Sequence, residues 1–179
     1  MKAKLLTILL CVTFVTFSQE NDTDNIRIHE LRLDGLKLLA GPIAEASYEF
    51  VKNENSGYGV SIFVNLGSDS PVWVENFSIT PFYRFYFFNK EDYGAKGFFV
   101  EGFGKLSTGD NSYDNFNYNN DFDEENFTDL SLGMALGQKW VNKNGFVFEL
   151  LLGVSRTLGT NSAGPEAYLR GGLSVGYRF

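Results

Sequence analysis

Cysteine and histidine occur once each in this 179-residue chain, at Cys11 and His29, and there are only four prolines. Cys11 lies inside the one long apolar run, Leu5 to Phe17, which Lys2 and Lys4 precede and Thr16-Phe17-Ser18 closes. A basic start, a short apolar stretch and small residues before Gln19 make a secretory signal peptide over residues 1–18, cut near Ser18. The run's 13 residues fall well short of the roughly 20 that a membrane-spanning helix needs, so no helical anchor is expected. Cys11 follows Ile8-Leu9-Leu10 rather than a small residue, which argues against a lipid-modified cysteine. Once the peptide is removed no thiol remains, which excludes disulfides, thiolate catalysis and cysteine metal sites together. Positive charge is scarce as well: without Lys2 and Lys4, 13 basic residues face 22 acidic ones, a net charge of −9. That balance argues against nucleic acid as a partner. The remaining length suits a single domain, a polar lead-in over 19–25 followed by one unit over 26–179.

What the chain does have is alternation. In the last stretch Ala167, Leu169, Gly171, Leu173, Val175, Tyr177 and Phe179 interleave with Tyr168, Arg170, Gly172, Ser174, Gly176 and Arg178. Side chains alternate across a strand with period two, so this is a strand with one apolar face and one small, cationic face. Its length suits a tilted bilayer crossing of roughly 9 to 11 residues. Seven earlier segments read the same way, at about 27–39, 44–52, 58–66, 76–88, 97–106, 127–141 and 146–156, and none reads as a helix. The first loses phase at Leu36-Lys37-Leu38-Leu39, which suggests a bulge or a strand end. Pro81 inside the fourth suggests a bulge or a local break.

Connections after strands two, four and six are short, with Asn142-Lys143-Asn144-Gly145 the tightest hairpin signal, while those after strands three, five and seven are longer. The longest, residues 107–126, carries six acidic residues and no basic one, and is expected to be a solvated loop. Short turns at one end and long loops at the other, with an even strand number, define an all-β, eight-stranded antiparallel up-and-down transmembrane β-barrel. Tyr48, Phe50, Tyr58, Phe85, Phe87, Phe98, Trp140, Phe146, Tyr177 and Phe179 cluster at the short-turn end as a candidate aromatic girdle. A soluble lipocalin-like barrel would bury the apolar face and show long polar chains on the other. Here that other face carries Gly133, Ala135, Gly137, Gly172, Ser174 and Gly176, which suits a crowded interior.

The signal peptide, the alternating strands and the terminal Leu173-x-Val175-x-Tyr177-x-Phe179 resemble small bacterial outer-membrane β-barrels of the OmpA/OmpX-like type. Leu38-Leu39-Ala40-Gly41-Pro42, Ser47-Tyr48-Glu49, Asn53-Glu54-Asn55 and Val60-Ser61 resemble a group of such chains from Bacteroidota. The resemblance implies residence in the outer membrane among lipid and lipopolysaccharide. It also implies recognition of the final strand, with Leu173, Val175, Tyr177 and Phe179, by the barrel-assembly machinery. The role it suggests is non-enzymatic: a structural or surface-loop-presenting part of the cell envelope, with a narrow pore or a small-solute-binding barrel as the alternative.

Interior charges then include Glu45, Glu49, Arg84, Glu101, Lys105, Lys139, Glu149, Arg170 and Arg178, and buried charges are costly unless paired. A network centred on Arg84, Glu101, Glu149, Arg170 and Arg178 is therefore predicted. If Phe87 faces Phe98, Arg84 falls opposite Glu101, and the hairpin at 142–145 brings Glu149 near Arg178. Such groups fill and solvate a narrow lumen more readily than they build an ion path. Acylases and deacylases of lipid A use this scaffold with a serine or histidine near the outer leaflet. His29 lies at the opposite end, and no catalytic residue or cofactor is expected. Asp121-Phe122-Asp123-Glu124-Glu125 lacks the spacing and glycine of a calcium loop, so no metal site is expected either. Loop 107–126 is the candidate contact for an extracellular partner.

Overall fold

The computed structural model describes residues 27–67, 75–87, 95–112, 124–158 and 165–179; the signal peptide, the lead-in and residues 113–123 of the acidic loop lie outside them. Eight strands form one closed antiparallel barrel in which each pairs with its sequence neighbours and β8 closes on β1. They are β1 (His29–Asp34), β2 (Ile43–Asn53), β3 (Ser56–Asn65), β4 (Glu75–Phe87), β5 (Gly97–Ser112), β6 (Glu124–Val141), β7 (Phe146–Thr157) and β8 (Ala167–Arg178). Both described ends of the chain meet at the short-turn end, where the His29 and Phe179 backbones exchange hydrogen bonds of 3.1 and 2.8 Å.

Cross-strand partners fix the barrel's geometry. From Arg178 they run through Glu30, Glu49, Gly59, Phe82, Phe103, Gly133 and Ser155 to Tyr168, so one circuit moves ten residues along β8. With a rise of about 3.3 Å per residue and strands about 4.8 Å apart, that stagger tilts the strands by about 40°. Eight strands at this tilt leave an interior that side chains can fill completely.

The small face of β6 shows how. Gly133 and Gly137 stand where Phe103 and Phe99 cross the lumen, and a Cβ on Gly133 would lie 2.5 Å from the Phe103 ring. Phe99 is fully buried and Phe103 and Phe82 nearly so, in apolar clusters with Tyr86, Val51, Ala95 and Ala135. Leu132, Met134, Leu136, Leu150, Leu152 and Val154, by contrast, face outward and are more than or close to half exposed.

Three sequence expectations change. The first strand does not run to residue 39: β1 ends at Asp34, and Gly35–Ala40 forms a short helix, α1. The phase slip at 36–39 is therefore helical. Leu, Lys and Ala favour helix, none of the six is β-branched, and Asp34 caps the turn by accepting from the Lys37 N–H at 3.1 Å. Gly41-Pro42 then ends it, since the residue before proline is driven to extended backbone.

The polar stretch 107–126 is not loop throughout either, because β5 and β6 stay paired out to Ser112 and Glu124. The 18 residues of β6 reach about 59 Å, or about 45 Å along the barrel axis, so the hairpin continues as a paired ladder well into the stretch expected to be loop. Finally, of the bulge or local break expected at Pro81, the structure has the break and not the bulge. The β4–β5 register is the same on both sides of it, with Thr80 and Pro81 omitted from the ladder; the shift falls at Glu75/Phe77. A missing N–H breaks a bond without adding a residue.

Candidate functional site

Buried charge fills the barrel from the short turns toward the long loops. At the short-turn end Arg178 donates to Glu30 at 2.8 Å and to the Ala95 carbonyl at 2.8 Å. Lys139 lies 2.8 Å from Glu30 and 2.7 Å from Glu49, and donates to the Tyr86 hydroxyl at 2.6 Å. Arg32 bridges Glu30 and Glu49, the latter at 2.7 Å, and stands 3.4 Å from Glu149.

Arg84 is the hub of the middle layer. It donates to Glu101 at 2.7 Å, to Glu49 at 2.8 Å and to both oxygens of Glu149 at 2.7 and 3.0 Å. Its guanidinium is held between the Phe82 and Phe99 rings, 4.5 and 4.4 Å from their centroids. A planar cation with five donors is suited to this position, where lysine would reach fewer acceptors. Beyond it Arg170 joins Glu101 at 2.8 Å and Glu45 at 3.1 Å, and Lys37 on α1 reaches down to Glu45. Lys105 and Glu75 form a separate pair at 2.6 Å, and Tyr168 donates to Asp129 at 3.1 Å.

Among the described residues the connected set contains Arg32, Lys37, Arg84, Lys139, Arg170 and Arg178 against Glu30, Asp34, Glu45, Glu49, Glu101 and Glu149, six cations to six carboxylates. Balance matters because an uncompensated charge in this interior would cost several kcal/mol.

All five network residues expected from the sequence are buried inside the barrel. Phe87 faces Phe98 and Arg84 faces Glu101, as the hairpin argument requires. The Glu149–Arg178 expectation is corrected: β7 sets Glu149 opposite Ser174, while barrel closure sets Arg178 opposite Glu30. Glu149 turns instead to Arg84 and Arg32 across the lumen. Sequence reasoning missed Glu30 and Arg32 as members, although their alternation with Leu31 and Leu33 marked them as inward. It also missed Tyr86, whose hydroxyl donates to Glu49 at 2.5 Å.

Glu30, Glu49 and Glu149 converge closely enough to suggest a cation site. Nitrogens of Arg32, Arg84 and Lys139 already lie among these carboxylates, so a metal ion would have to displace resident cations. His29 lies at the short-turn end, its Nδ1 2.5 Å from the Tyr48 hydroxyl and its ring stacked on Tyr48 and Phe179. The ring contacts Phe50–Tyr58, Tyr83–Phe85, Phe87–Phe98, Trp140–Phe148 and Phe146–Tyr177 continue around the outside at that end. Leu173, Val175, Tyr177 and Phe179 share the outward face of the last strand, Leu173 half-buried and the others exposed. No protein-family model matches the chain, and neither a curated protein nor a solved structure does.

Proposed function

We propose that this chain is a bacterial outer-membrane β-barrel of the small, plugged kind, a structural and loop-presenting component of the envelope rather than a channel or an enzyme. The observation that carries the reading is inverted polarity. Arginine, lysine and glutamate are buried inside, while leucine, methionine, valine and aromatic side chains face outward around the wall. In water that outward face would be an aggregation hazard, whereas in lipid it is the favourable surface. Ring contacts at the short-turn end supply the interfacial belt such barrels carry.

Closed strand pairing satisfies the backbone within lipid except beside α1. The filled lumen favours a plug over the alternative of a narrow pore, because Arg84 and its partners cross it. Two measurements test this. Outer-membrane fractions run on SDS gels with and without boiling should show a mobility shift; a soluble protein with no shift would overturn the assignment. In planar bilayers neither the natural chain nor Arg84→Ser should give steady conductance, whereas conductance that grows in Arg84→Ser would establish the pore.

A further inference from the structure

The wall of the barrel is incomplete beside α1. β1 pairs with β8 only from Asp34 opposite Ser174 to Glu30 opposite Arg178, and with β2 only as far as Leu33 opposite Ala46. On that side the upper part of β8, from Ala167 to Leu173, and the start of β2 have no strand neighbour, and α1 lies between them. A cavity of about 140 Å³ opens here. Its lining includes the inward Lys37, Lys105, Arg170 and Glu75 together with Leu152, Leu169 and Gly171, which face outward. An intact ladder separates its two faces, so a cavity lined by both passes through the wall.

We propose that this recess binds the head of a membrane phospholipid, entered sideways from the bilayer, with the phosphate held by Lys37, Lys105 and Arg170 and a head-group N–H donated to Glu75. The inference rests on the membrane reading above. Two features of the cavity select the head. Lys37, Lys105 and Arg170 bring cationic N–H donors to one lining, each already holding a carboxylate: Lys37 and Arg170 share Glu45, and Lys105 holds Glu75. Glu75 uses one carboxylate oxygen on Lys105, while its Oε1 is buried with no hydrogen-bond partner. A buried acceptor left unpaired is costly, so a bound donor there gains more than it would at the surface.

A head that supplies both an anion and a donor is of the phosphoethanolamine class. A choline head carries the phosphate but has no N–H to give. The tails have a path as well. Leu39 on α1, Leu169 and Leu152, which are 89%, 77% and 70% exposed, are the most exposed large apolar side chains among the described residues. All three lie on or beside α1 and Gly171, where acyl chains would leave the cavity. Gly171 keeps the opening clear, since even a Cβ there would meet the Leu151 carbonyl at 3.0 Å and Leu152 at 3.5 Å.

The test is native mass spectrometry of the full barrel released from detergent micelles doped with phosphatidylethanolamine or phosphatidylcholine, with free phosphoethanolamine and inorganic phosphate as competitors. One phosphatidylethanolamine should remain bound per barrel, favoured over phosphatidylcholine by about tenfold, the weight of one charged hydrogen bond. Lys105→Met and Gly171→Leu should each lower its retention by a similar factor. Equal retention of the two lipids, or retention that neither variant changes, would overturn the site. Displacement by free phosphoethanolamine that Gly171→Leu leaves untouched would place entry at the mouth and overturn the lateral path. Each variant is first checked for heat-dependent gel mobility. A barrel that shifts but holds no lipid refutes the site alone, and one that never shifts refutes the membrane reading.

Discussion

Arg84→Met isolates the charge at the centre of the barrel. Methionine keeps an unbranched chain between Phe82 and Phe99 but removes four donated bonds, to Glu101, Glu49 and both oxygens of Glu149. At about 1.5–3 kcal/mol for each bond to a charged group, a simple sum of about 6–12 kcal/mol would rival the usual stability of a whole domain. Much of that is offset because arginine no longer has to be desolvated, and because Arg32 and Lys139 lie 3.4 and 3.7 Å from Glu149 and shift to cover it. What remains is one uncompensated buried carboxylate, a loss of about 3–5 kcal/mol, or a factor of about 150 to about 4,000 in the folding equilibrium. Urea unfolding of the barrel in lipid vesicles, followed by gel mobility and tryptophan fluorescence, measures it. Combining Arg84→Met with Glu149→Gln should recover part of the loss, because the two residues share one network. A single variant within about 1 kcal/mol of the natural protein, or a double variant whose losses simply add, would refute the view that this network holds the interior together.

Other substitutions probe separate links. Gly137→Val directs a branched side chain into the Phe99 ring and should cost about 1–3 kcal/mol by overpacking in the same unfolding assay. Asp34→Ala removes the α1 cap and the Lys37 partner at 3.5 Å; a loss of about 1 kcal/mol with faster protease cutting near Leu39 is expected, and unchanged cutting would detach α1 order from its cap. Phe179→Ala should lower folded barrel in the outer-membrane fraction of cells several-fold while refolding into detergent proceeds as before. If refolding fails too, Phe179 acts through the stacking of its ring on His29 and not as an assembly signal.

Period-two alternation determined a good deal on its own. It located eight strands, with ends off by up to six residues, assigned leucines to one face and charges to the other, and through a single hairpin placed Arg84 against Glu101. These are local properties, since alternation is built into the strand and a two-strand register follows from the turn between them. The helix at 35–40 escaped because six residues span under two turns and mimic a slipped strand.

The remainder belonged to closure. Arg84 meets Glu149 across the lumen, Arg170 meets Glu45, and Arg178 meets Glu30 at sequence separations of 65, 125 and 148. Such pairs depend on the ten-residue stagger around the barrel, a sum over all eight registers to which each turn and bulge contributes. The gap beside α1 has the same origin, because only a closed circuit reveals that β1 is too short to line β8. The strands and their faces were therefore written locally, whereas which charges neutralise one another, and where the wall opens, were decided only when the sheet closed on itself.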